Sequence, residues 1–520
     1  MTTRVHDRRR PGGAAAGAGR RPTSPPFAVD RLLGLSLAVG VAAAWGLLAG
    51  WWTPRGPLTT GQALASLGIG LAVGAAAGVL TRSRWSMLLA PTVFVAVFEL
   101  TRLGTDGPTV DGIHASTYGL IALAVGRGVH GLLAVVPMLL GAALGAAYAR
   151  RIADATGPYR PRVRLGGYAR RAVAGLTAVV LVVLAAAIAR PASTAQITGP
   201  DGEPVPGSIA ELTRVDINGH DLALMIRGRS VDNPVLLFLA GGPGGTELGA
   251  MRNHGQDLER DFTVVTWDQR GTGRSYDQLD PVSTLTPENA VDDTIAVTTY
   301  LRGRFGQDRI YLVGQSWGSL LGVLAAQRRP ELYRAFVGTG QMVSPTETDR
   351  IFYEDTLAWA RRTGNGSLVD TLERSGPPPY DSILDYEPAL SYEQEVYPYD
   401  HSGNAEGEGQ MAEGIFVGEY DLLDRLHNLG AFLDTFSVLY PQIQDVDLRA
   451  DAASLDVPVY LFQGAHEARG RAEPAEEWFA MLDAPRKEMA VASTSGHRPL
   501  WEQPAAFHRF MTETVLEAEE

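Results

Sequence analysis

The feature that most constrains this chain is an apolar run that stops abruptly at a cluster of glycines. Residues 235–245 read Val-Leu-Leu-Phe-Leu-Ala-Gly-Gly-Pro-Gly-Gly. The run has the length of a buried β-strand, and glycines at its end let the backbone approach a reacting atom closely. Uncovered backbone N–H groups in such a loop can bind a developing oxyanion. The loop therefore predicts a catalytic site whose nucleophile, base and orienting acid come from elsewhere in the chain.

The 520-residue chain has two parts of opposite charge. Residues 1–190 contain 20 arginines and 6 acidic residues, a net charge of +14, which leaves −27 for residues 191–520. The acidic part argues against nucleic-acid binding, because phosphate contacts need basic side chains and Lys487 is the only lysine. The chain has no cysteine, which excludes disulfides, thiolate metal sites and a cysteine nucleophile. We predict neither a metal nor a cofactor.

Five apolar stretches after a basic tail (residues 1–31) predict a membrane domain over residues 32–189. Each is nearly free of charge and close to the ~20 residues that cross a bilayer. Tryptophans at several of their edges favour membrane spans over buried core helices. A lipid bilayer is therefore a predicted partner. The stretches are Leu32–Trp51, Gln62–Leu80, Trp85–Leu100, Leu132–Tyr148 and Ala172–Ala189.

The distribution of arginine predicts the orientation in a cell membrane. Arginines concentrate in the tail, in the turn at residues 82–84 and in residues 150–171, whereas the alternate loops hold three. Because basic short loops stay in the cytoplasm, five crossings place Arg190 and all that follows outside it. The apolar segment Thr117–Val125 is too short to span alone, and we expect it to be interfacial or re-entrant. The spans lack the charged residues typical of transport, so we expect a passive anchor.

Residues 190–208 have the composition of a linker, and from residue 209 short apolar segments alternate with helical patterns. This alternation predicts an α/β fold with a mostly parallel sheet, whose reactive groups lie at the carboxyl ends of the strands. The predicted strands are Leu212–Ile217, Leu222–Arg227, Val235–Leu239, Phe262–Trp267, Ile310–Val313, Ala335–Gly338, Val457–Phe462 and Glu488–Val491.

A candidate nucleophile lies between one of these strands and a predicted helix. Gly314-Gln-Ser316-Trp-Gly318 has the pattern G-x-S-x-G, in which a tight strand-to-helix turn lifts the serine above the sheet. The two glycines remove side chains that would collide in that turn. We therefore predict that Ser316 is a nucleophile and not a helix-capping serine.

The base and the acid are predicted from chain order. His497 follows the last predicted strand, where this kind of fold places its catalytic histidine. The acid should follow the strand Val457–Phe462, and Glu467 lies in that loop. A glutamate there can accept the imidazole N–H and stabilise the imidazolium. The alternatives are a solvated loop charge at Glu467 or a role passed to Glu473.

Together these motifs resemble the prolyl aminopeptidase (proline iminopeptidase) family of α/β-hydrolases, over about residues 211–515. Two positions depart from the family pattern, which usually has histidine where Ala240 stands and aspartate where Glu467 stands. The most specific string is Trp267-Asp-Gln-Arg-Gly-Thr-Gly-Arg-Ser275. The other motifs are Gly241-Gly-Pro-Gly244, Gly314-Gln-Ser-Trp-Gly-Ser319, and Val457-Pro-Val-Tyr-Leu-Phe-Gln-Gly464 followed by His466 and Glu467.

The resemblance implies a mechanism. Ser316 is expected to attack a carbonyl and His497 to transfer the proton, while the backbone N–H groups of Gly242 and Trp317 hold the oxyanion. Asp268 and Arg270 are expected to fix loops beneath the site and not to take part in the chemistry.

The resemblance also implies that residues 344–450 form a helical cap between two parts of the hydrolase core, residues 209–343 and 451–520. An aminopeptidase must bind a free ammonium group, for which Glu413 and Glu419 of the cap are the candidates. The leading hypothesis is a membrane-anchored serine hydrolase that releases N-terminal residues, proline among them, from peptides. An esterase or lactonase acting on a small acyl substrate, or a non-catalytic ligand sensor, are the alternatives.

Overall fold

An N-terminal group of apolar helices precedes a β-sheet with helices on both faces. The computed structural model describes residues 31–155, 165–406 and 414–519. Most of the predicted basic tail, part of the arginine-rich loop and the candidate residue Glu413 lie outside these described residues.

Four helices among the described residues are long and apolar enough to cross a membrane, which indicates membrane insertion. Another predicted span forms a shorter helix of 16 residues. At ~1.5 Å per residue this helix is about 24 Å long, less than the ~30 Å hydrocarbon core, so its crossing stays a prediction. The helices are α1 (Arg31–Trp52), α2 (Thr60–Thr81), α3 (Ser86–Thr101), α4 (Thr117–Leu123), α5 (Val136–Ala155) and α6 (Leu165–Ile188).

The predicted interfacial or re-entrant segment at Thr117–Val125 does not form a separate element. Helix α4 continues through two π-helical segments, Ala124–Gly128 and Gly131–Val135, directly into α5. Residues 117–153 thus form one apolar helix of 37 residues. The wider π turns accommodate extra residues without breaking the helix, so the segment is the first part of a longer helix. Its position relative to the membrane stays a prediction.

Eight strands form a single sheet in the order β1-β2-β4-β3-β5-β6-β7-β8. The pairs β1–β2 and β2–β4 are antiparallel and the others are parallel. All eight predicted strands are present, which confirms the mostly parallel α/β sheet. They are β1 (Ile209–Ile217), β2 (His220–Gly228), β3 (Val235–Leu239), β4 (Thr263–Trp267), β5 (Ile310–Gln315), β6 (Tyr333–Thr339), β7 (Val459–Gly464) and β8 (Lys487–Ala492).

Among the described residues, twelve further α-helices accompany the sheet, and those between β6 and β7 form the predicted cap. The last helix continues through a π-helical segment, Phe510–Leu516, to Glu519. The helices are α7 (Leu248–His254), α8 (Pro287–Phe305), α9 (Trp317–Arg328), α10 (Pro345–Thr363), α11 (Gly366–Ser375), α12 (Ile383–Leu390), α13 (Glu393–Val396), α14 (Leu422–Leu439), α15 (Leu448–Asp451), α16 (Arg469–Met481), α17 (Pro499–Glu502) and α18 (Pro504–Arg509).

Strand β3 is buried on both sides of the sheet. Its side chains alternate, so that Leu237 and Leu239 join one apolar cluster while Leu236 and Phe238 join the other. Because β3 lies between β4 and β5, its glycine-rich end is delivered beside the end of β5, where Ser316 follows. The order of the strands therefore brings the two motifs together.

Candidate active site

Ser316 occupies a strained turn between β5 and α9. Its φ angle is 54°, a region that side chains rarely adopt. A Cβ atom on Gly314 would lie 2.2 Å from the carbonyl oxygen of Gly318, and one on Gly318 would lie 2.1 Å from that of Leu239. Both glycines of the motif are therefore required by the close approach of neighbouring backbone. This turn brings Ser316 to the lining of a cleft.

The glycine loop after β3 lies against Ser316. A Cβ atom added to Gly241 would be 3.2 Å from the Cβ of Ser316, and Gly242 lines the same cleft as Ser316. The amide of Trp317 is the first of helix α9 and therefore has no partner within that helix. Both residues predicted to form an oxyanion hole thus flank the candidate nucleophile.

Gln269 connects this loop to the serine turn. Its side-chain oxygen accepts the indole N–H of Trp317 at 3.0 Å, and its side-chain nitrogen donates to the carbonyl of Ala240 at 3.1 Å. The contact at position 240 uses the backbone, so it does not depend on the histidine that the family usually has there. Sequence reasoning missed this role of Gln269, although the residue lies within the most specific motif.

A buried ionic network ties the glycine loop to the loop of His497. Glu247 accepts the amide N–H of Gly241 at 3.1 Å and forms an ion pair with Arg498. Arg498 also pairs with Glu406 at 2.8 Å. Burial alone would lower the pKa of Arg498, but the two carboxylates outweigh it and raise the pKa. Glu247 and Arg498 are 251 positions apart, so no sequence spacing indicated this network.

His497 and Glu467 form the predicted pair. Nδ1 of His497 lies 2.7 Å from Oε2 of Glu467, whose other oxygen accepts from Arg471 at 2.7 Å. Burial would raise the pKa of Glu467, but the charges of Arg471 and His497 outweigh it and lower the pKa to about 2. The carboxylate is therefore ionised at neutral pH and can accept the Nδ1 proton. The alternative acid, Glu473, pairs instead with Arg469 on the surface.

The loop of His497 is held beside the serine turn. The side-chain amide of Gln315, the residue before Ser316, donates to the carbonyl of His497 at 3.2 Å. Glu502 supports the loop from behind by accepting the amide N–H of Gly496 at 3.0 Å and the hydroxyl of Tyr399 at 2.9 Å. The loops that carry Ser316 and His497 are thus adjacent, although the residues are far apart in the chain.

Asp268 and Arg270 hold loops, as the sequence predicts. Asp268 is buried and accepts from the hydroxyl of Thr246 and from the amide of Arg274 at 2.9 Å. Its burial raises its pKa. Arg270 forms a buried ion pair with Asp293 at 2.7 Å. Neither residue is among those that line the cleft.

The cleft above Ser316 encloses about 700 Å³ of space, counting its open mouth. Its walls are mainly aromatic and aliphatic side chains of the cap, with two carboxyl groups, Asp349 and Asp385. Asp349 accepts from the hydroxyl of Tyr440 at 2.7 Å and from Gln444 at 3.2 Å. Burial raises the pKa of Asp349 to about 7, against the effect of these hydrogen bonds.

The position of Glu419 corrects the sequence-based choice of an ammonium ligand. Glu419 does not line the cleft, and its carboxylate accepts from Thr194 at 2.8 Å and from Arg252 at 3.0 Å. It therefore neutralises an arginine beneath the linker. Glu413, the other candidate, lies outside the described residues. Asp349 and Asp385 were missed because nothing in their spacing distinguishes them from the many solvated acids of this part.

Comparisons with known proteins agree with this architecture. The sequence model of the family described as alpha/beta hydrolase fold matches residues 234–504. The chain is 31% identical over 308 residues to "Probable aminopeptidase YbaC" of Bacillus subtilis, a match that covers 58% of this chain and 94% of that protein. It is 40% identical over 115 residues to a proline iminopeptidase of Xylella fastidiosa, covering 22% of this chain but only 34% of that protein.

Among solved structures, the proline iminopeptidase of Mycobacterium smegmatis is similar with a TM-score of 0.43 and 20% identity, covering 59% of this chain and 99% of that chain. The resemblance drawn from the motifs is confirmed by the relatives named as aminopeptidases and proline iminopeptidases. Since the family match extends over more than half of its residues, the chain belongs to the α/β-hydrolase family.

Proposed function

We propose that this protein is a membrane-anchored serine aminopeptidase that releases N-terminal residues from peptides through an acyl-enzyme. The observation that carries the proposal is a carboxyl group, Asp349, in the aromatic cleft on which Ser316 and Gly242 open. A nucleophile with an anionic group in the same cleft suits a substrate whose scissile carbonyl is close to a free ammonium.

Catalysis would follow from the arrangement of Ser316, His497 and Glu467. The hydroxyl oxygen of Ser316 attacks the carbonyl carbon of the first residue while Nε2 of His497 takes the hydroxyl proton. The backbone N–H groups of Gly242 and Trp317 stabilise the negative oxygen of the tetrahedral intermediate. The imidazolium then protonates the departing amine, which leaves the first residue as an ester on Ser316. Water activated by His497 hydrolyses this ester and restores the serine.

We assign the ammonium-binding role to Asp349 in place of Glu413 and Glu419. An ammonium group near Asp349 would favour its ionised form and lower its pKa from about 7. Arg471 lines the same cleft, but its charge is balanced by Glu467 and Glu393. Arg471 therefore leaves no uncompensated positive charge in the cleft that would oppose a bound ammonium group.

The shape of the cleft supports a compact apolar first residue. Phe352, Tyr386 and Phe436 line it, and flat aromatic faces suit the ring of proline or a small aliphatic side chain. This preference accords with the proline iminopeptidases among the relatives.

We further propose that the apolar helices anchor the protein in the cell membrane with its hydrolase part outside the cytoplasm. The support for the orientation is the excess of arginine in alternate loops of the N-terminal part.

A substrate panel on the full-length protein in detergent micelles tests the activity. We expect hydrolysis of prolyl arylamides with a free amine, and labelling of Ser316 by a fluorophosphonate that the Ser316→Ala variant abolishes. Asp349→Asn should raise KM for free-amine substrates and leave KM for N-acetylated substrates unchanged. A large preference for simple acyl esters would identify an esterase or lactonase instead, and a failure to label Ser316 would leave the ligand sensor.

A further inference from the structure

Helix α14 is shared between the hydrolase part and the N-terminal helices. Leu423 packs in an apolar cluster with Leu67 of α2 and Leu133, which follows α4. Four residues later, Nε2 of His427 donates to the carbonyl of Pro57 at 3.1 Å. A Cβ atom on Gly430 would lie 3.0 Å from Val125. One face of α14 therefore lies directly on helices α1 to α6 and the loops between them, which we call the membrane part.

The opposite face of α14 contacts the candidate active site. The hydroxyl of Thr435 donates to the carbonyl of Gly271 at 2.7 Å, and Phe436 lines the cleft. A Cβ atom on Gly244, in the glycine loop, would lie 2.8 Å from the carbonyl oxygen of Phe432. At ~3.6 residues per turn, positions 432, 435 and 436 project away from positions 423, 427 and 430. Helix α14 thus contacts the membrane part on one face and the candidate active site on the other.

Asp434 fixes the membrane face of α14 through hydrogen bonds from three other segments. Its side chain is fully buried and accepts from Arg55 at 2.6 Å, from the amide of Thr109 at 3.0 Å, from the hydroxyl of Thr109 at 2.6 Å and from the hydroxyl of Tyr276 at 2.7 Å. Arg55 lies in the loop between α1 and α2, and Thr109 lies between α3 and α4. Loops of the membrane part therefore supply three of these four hydrogen bonds.

Arg55 is equally constrained. Its side chain is 1% exposed, and its guanidinium pairs with Asp280 at 3.0 Å and donates to the carbonyl of Asp106 at 2.6 Å. Because the guanidinium is planar and holds its donors in a fixed fork, simultaneous contacts to Asp280 and Asp434 set the distance between these residues. Loss of Arg55 would leave Asp434 as a buried charge without its cationic partner, which protonation of Asp434 or a displacement of α14 would relieve. Either change removes the ionic link that holds α14 to the loop between α1 and α2.

We propose that Arg55 is a positioning residue for the substrate cleft, acting through Asp434 and helix α14. This inference rests on the proposed function for its kinetic readout. The membrane part is then more than the passive anchor expected from its sequence, because its loops set the position of a helix that forms one wall of the cleft. A displacement of α14 would move Phe436 relative to Ser316 and relax the contact with the glycine loop.

The test compares Arg55→Gln with the milder variant Thr109→Val and with the control Arg227→Gln, all as full-length protein in detergent micelles. Arg227 is a buried arginine paired with Glu259 at 2.7 Å, and its other hydrogen bonds go to Thr194 and Ala195 of the linker and not to α14. Active sites are titrated with a fluorophosphonate, kcat for a prolyl arylamide is expressed per titrated site, and KM is measured in the same assays. This normalisation removes losses that come only from a smaller folded fraction.

We expect Arg55→Gln to raise KM about tenfold, because the cleft wall is misplaced. The value of kcat per titrated site should fall less. Thr109→Val removes one hydrogen bond and should raise KM less, whereas Arg227→Gln should leave KM unchanged. An unchanged KM in Arg55→Gln would overturn the proposal. If Arg55→Gln does not fold, an unchanged KM in Thr109→Val would overturn it.

A failure of the proposed function is separable from a failure of this inference. If the wild-type protein labels with the fluorophosphonate but cleaves no arylamide, the substrate assignment fails. The concentration dependence of labelling then replaces KM. A higher half-saturating concentration in Arg55→Gln, with an unchanged value in Arg227→Gln, would still support the positioning role. Equal values in wild type, Arg55→Gln and Arg227→Gln would overturn it.

Discussion

Replacement of Glu467 tests the charge and the reach of the acid separately. In Glu467→Gln the side chain keeps its size but loses the charge that Arg471 and His497 stabilise. The pKa of Glu467 is lowered from 4.5 to about 2. A difference of that size corresponds to roughly 3 kcal/mol in favour of the ionised form in the folded protein. We therefore expect Glu467→Gln to lower the free energy of unfolding by about 3 kcal/mol at neutral pH.

The stabilisation that the ionised Glu467 contributes depends on pH. A carboxyl group with a lowered pKa in the folded state stabilises the protein above its unfolded pKa, and this contribution is lost as the pH falls through the folded value. The difference in stability between wild type and Glu467→Gln should therefore be constant above pH 5 and shrink from about pH 4.5 towards about pH 2.

The effect on catalysis is larger, because the carboxylate orients the imidazole. Replacing the acid of such a triad by its amide costs about 10⁴-fold in kcat, since the wrong ring nitrogen then carries the proton. We expect a loss of that order in Glu467→Gln. Glu467→Asp keeps the charge but withdraws it by one methylene from a histidine 2.7 Å away. A misplacement of about 1 Å lowers the rate on the order of 100-fold. The kcat of Glu467→Asp should therefore lie between the values of wild type and Glu467→Gln.

The assay is turnover of a prolyl arylamide per fluorophosphonate-titrated site, alongside thermal unfolding of the same preparations. A Glu467→Gln protein that turns over within about threefold of wild type would refute the assignment of Glu467 as the triad acid, because such a change is below 1 kcal/mol in the barrier. A Glu467→Asp protein faster than wild type would refute the expectation that withdrawing the carboxylate from His497 slows turnover.

Three further outcomes are expected. Burial raises the pKa of Asp349 from 3.8 to about 7, so between these pH values the folded protein keeps a proton that the unfolded chain has lost. The free energy of unfolding should therefore fall by up to roughly 4 kcal/mol as the pH rises through this window. Asp349→Asn should abolish this pH dependence, as measured by thermal unfolding at a series of pH values. Gln269→Leu leaves the indole N–H of Trp317 and the carbonyl of Ala240 without this partner, and we expect kcat to fall about tenfold with little change in KM, measured per titrated site. A reporter that is active only outside the cytoplasm should be active when fused to the C-terminus, and an inactive fusion would contradict the predicted orientation.

The sheet and the three candidate site residues could be predicted because their signals are local. Each strand is a short apolar run, and Ser316 lies in a pattern whose glycines are explained by contacts within a few ångströms. His497 and Glu467 follow from their order along the chain after particular strands. These inferences needed only the periodicity of the sequence and the rule that reactive groups gather at the carboxyl ends of parallel strands.

The features that could not be predicted depend on contacts between distant segments. The ion pair of Glu247 with Arg498 and the hydrogen bonds of Asp434 join residues hundreds of positions apart. Asp349 and Glu419 are both acids of the cap, and only their burial and partners distinguish a cleft residue from one that neutralises an arginine. The segment at Thr117–Val125 was too short in isolation, because its continuation through π-helical turns carries no clear sequence signal.

We propose that Ser316 serves a cleft that selects a free ammonium group. The most direct test is the ratio of kcat/KM for a prolyl arylamide to that for its N-acetylated counterpart, in wild type and in Ser316→Ala. We expect a preference of about 100-fold or more for the free amine, because only a free ammonium group can form an ion pair with the buried Asp349. The Ser316→Ala variant should have no activity. Equal values for the two substrates, or activity that survives Ser316→Ala, would contradict the account.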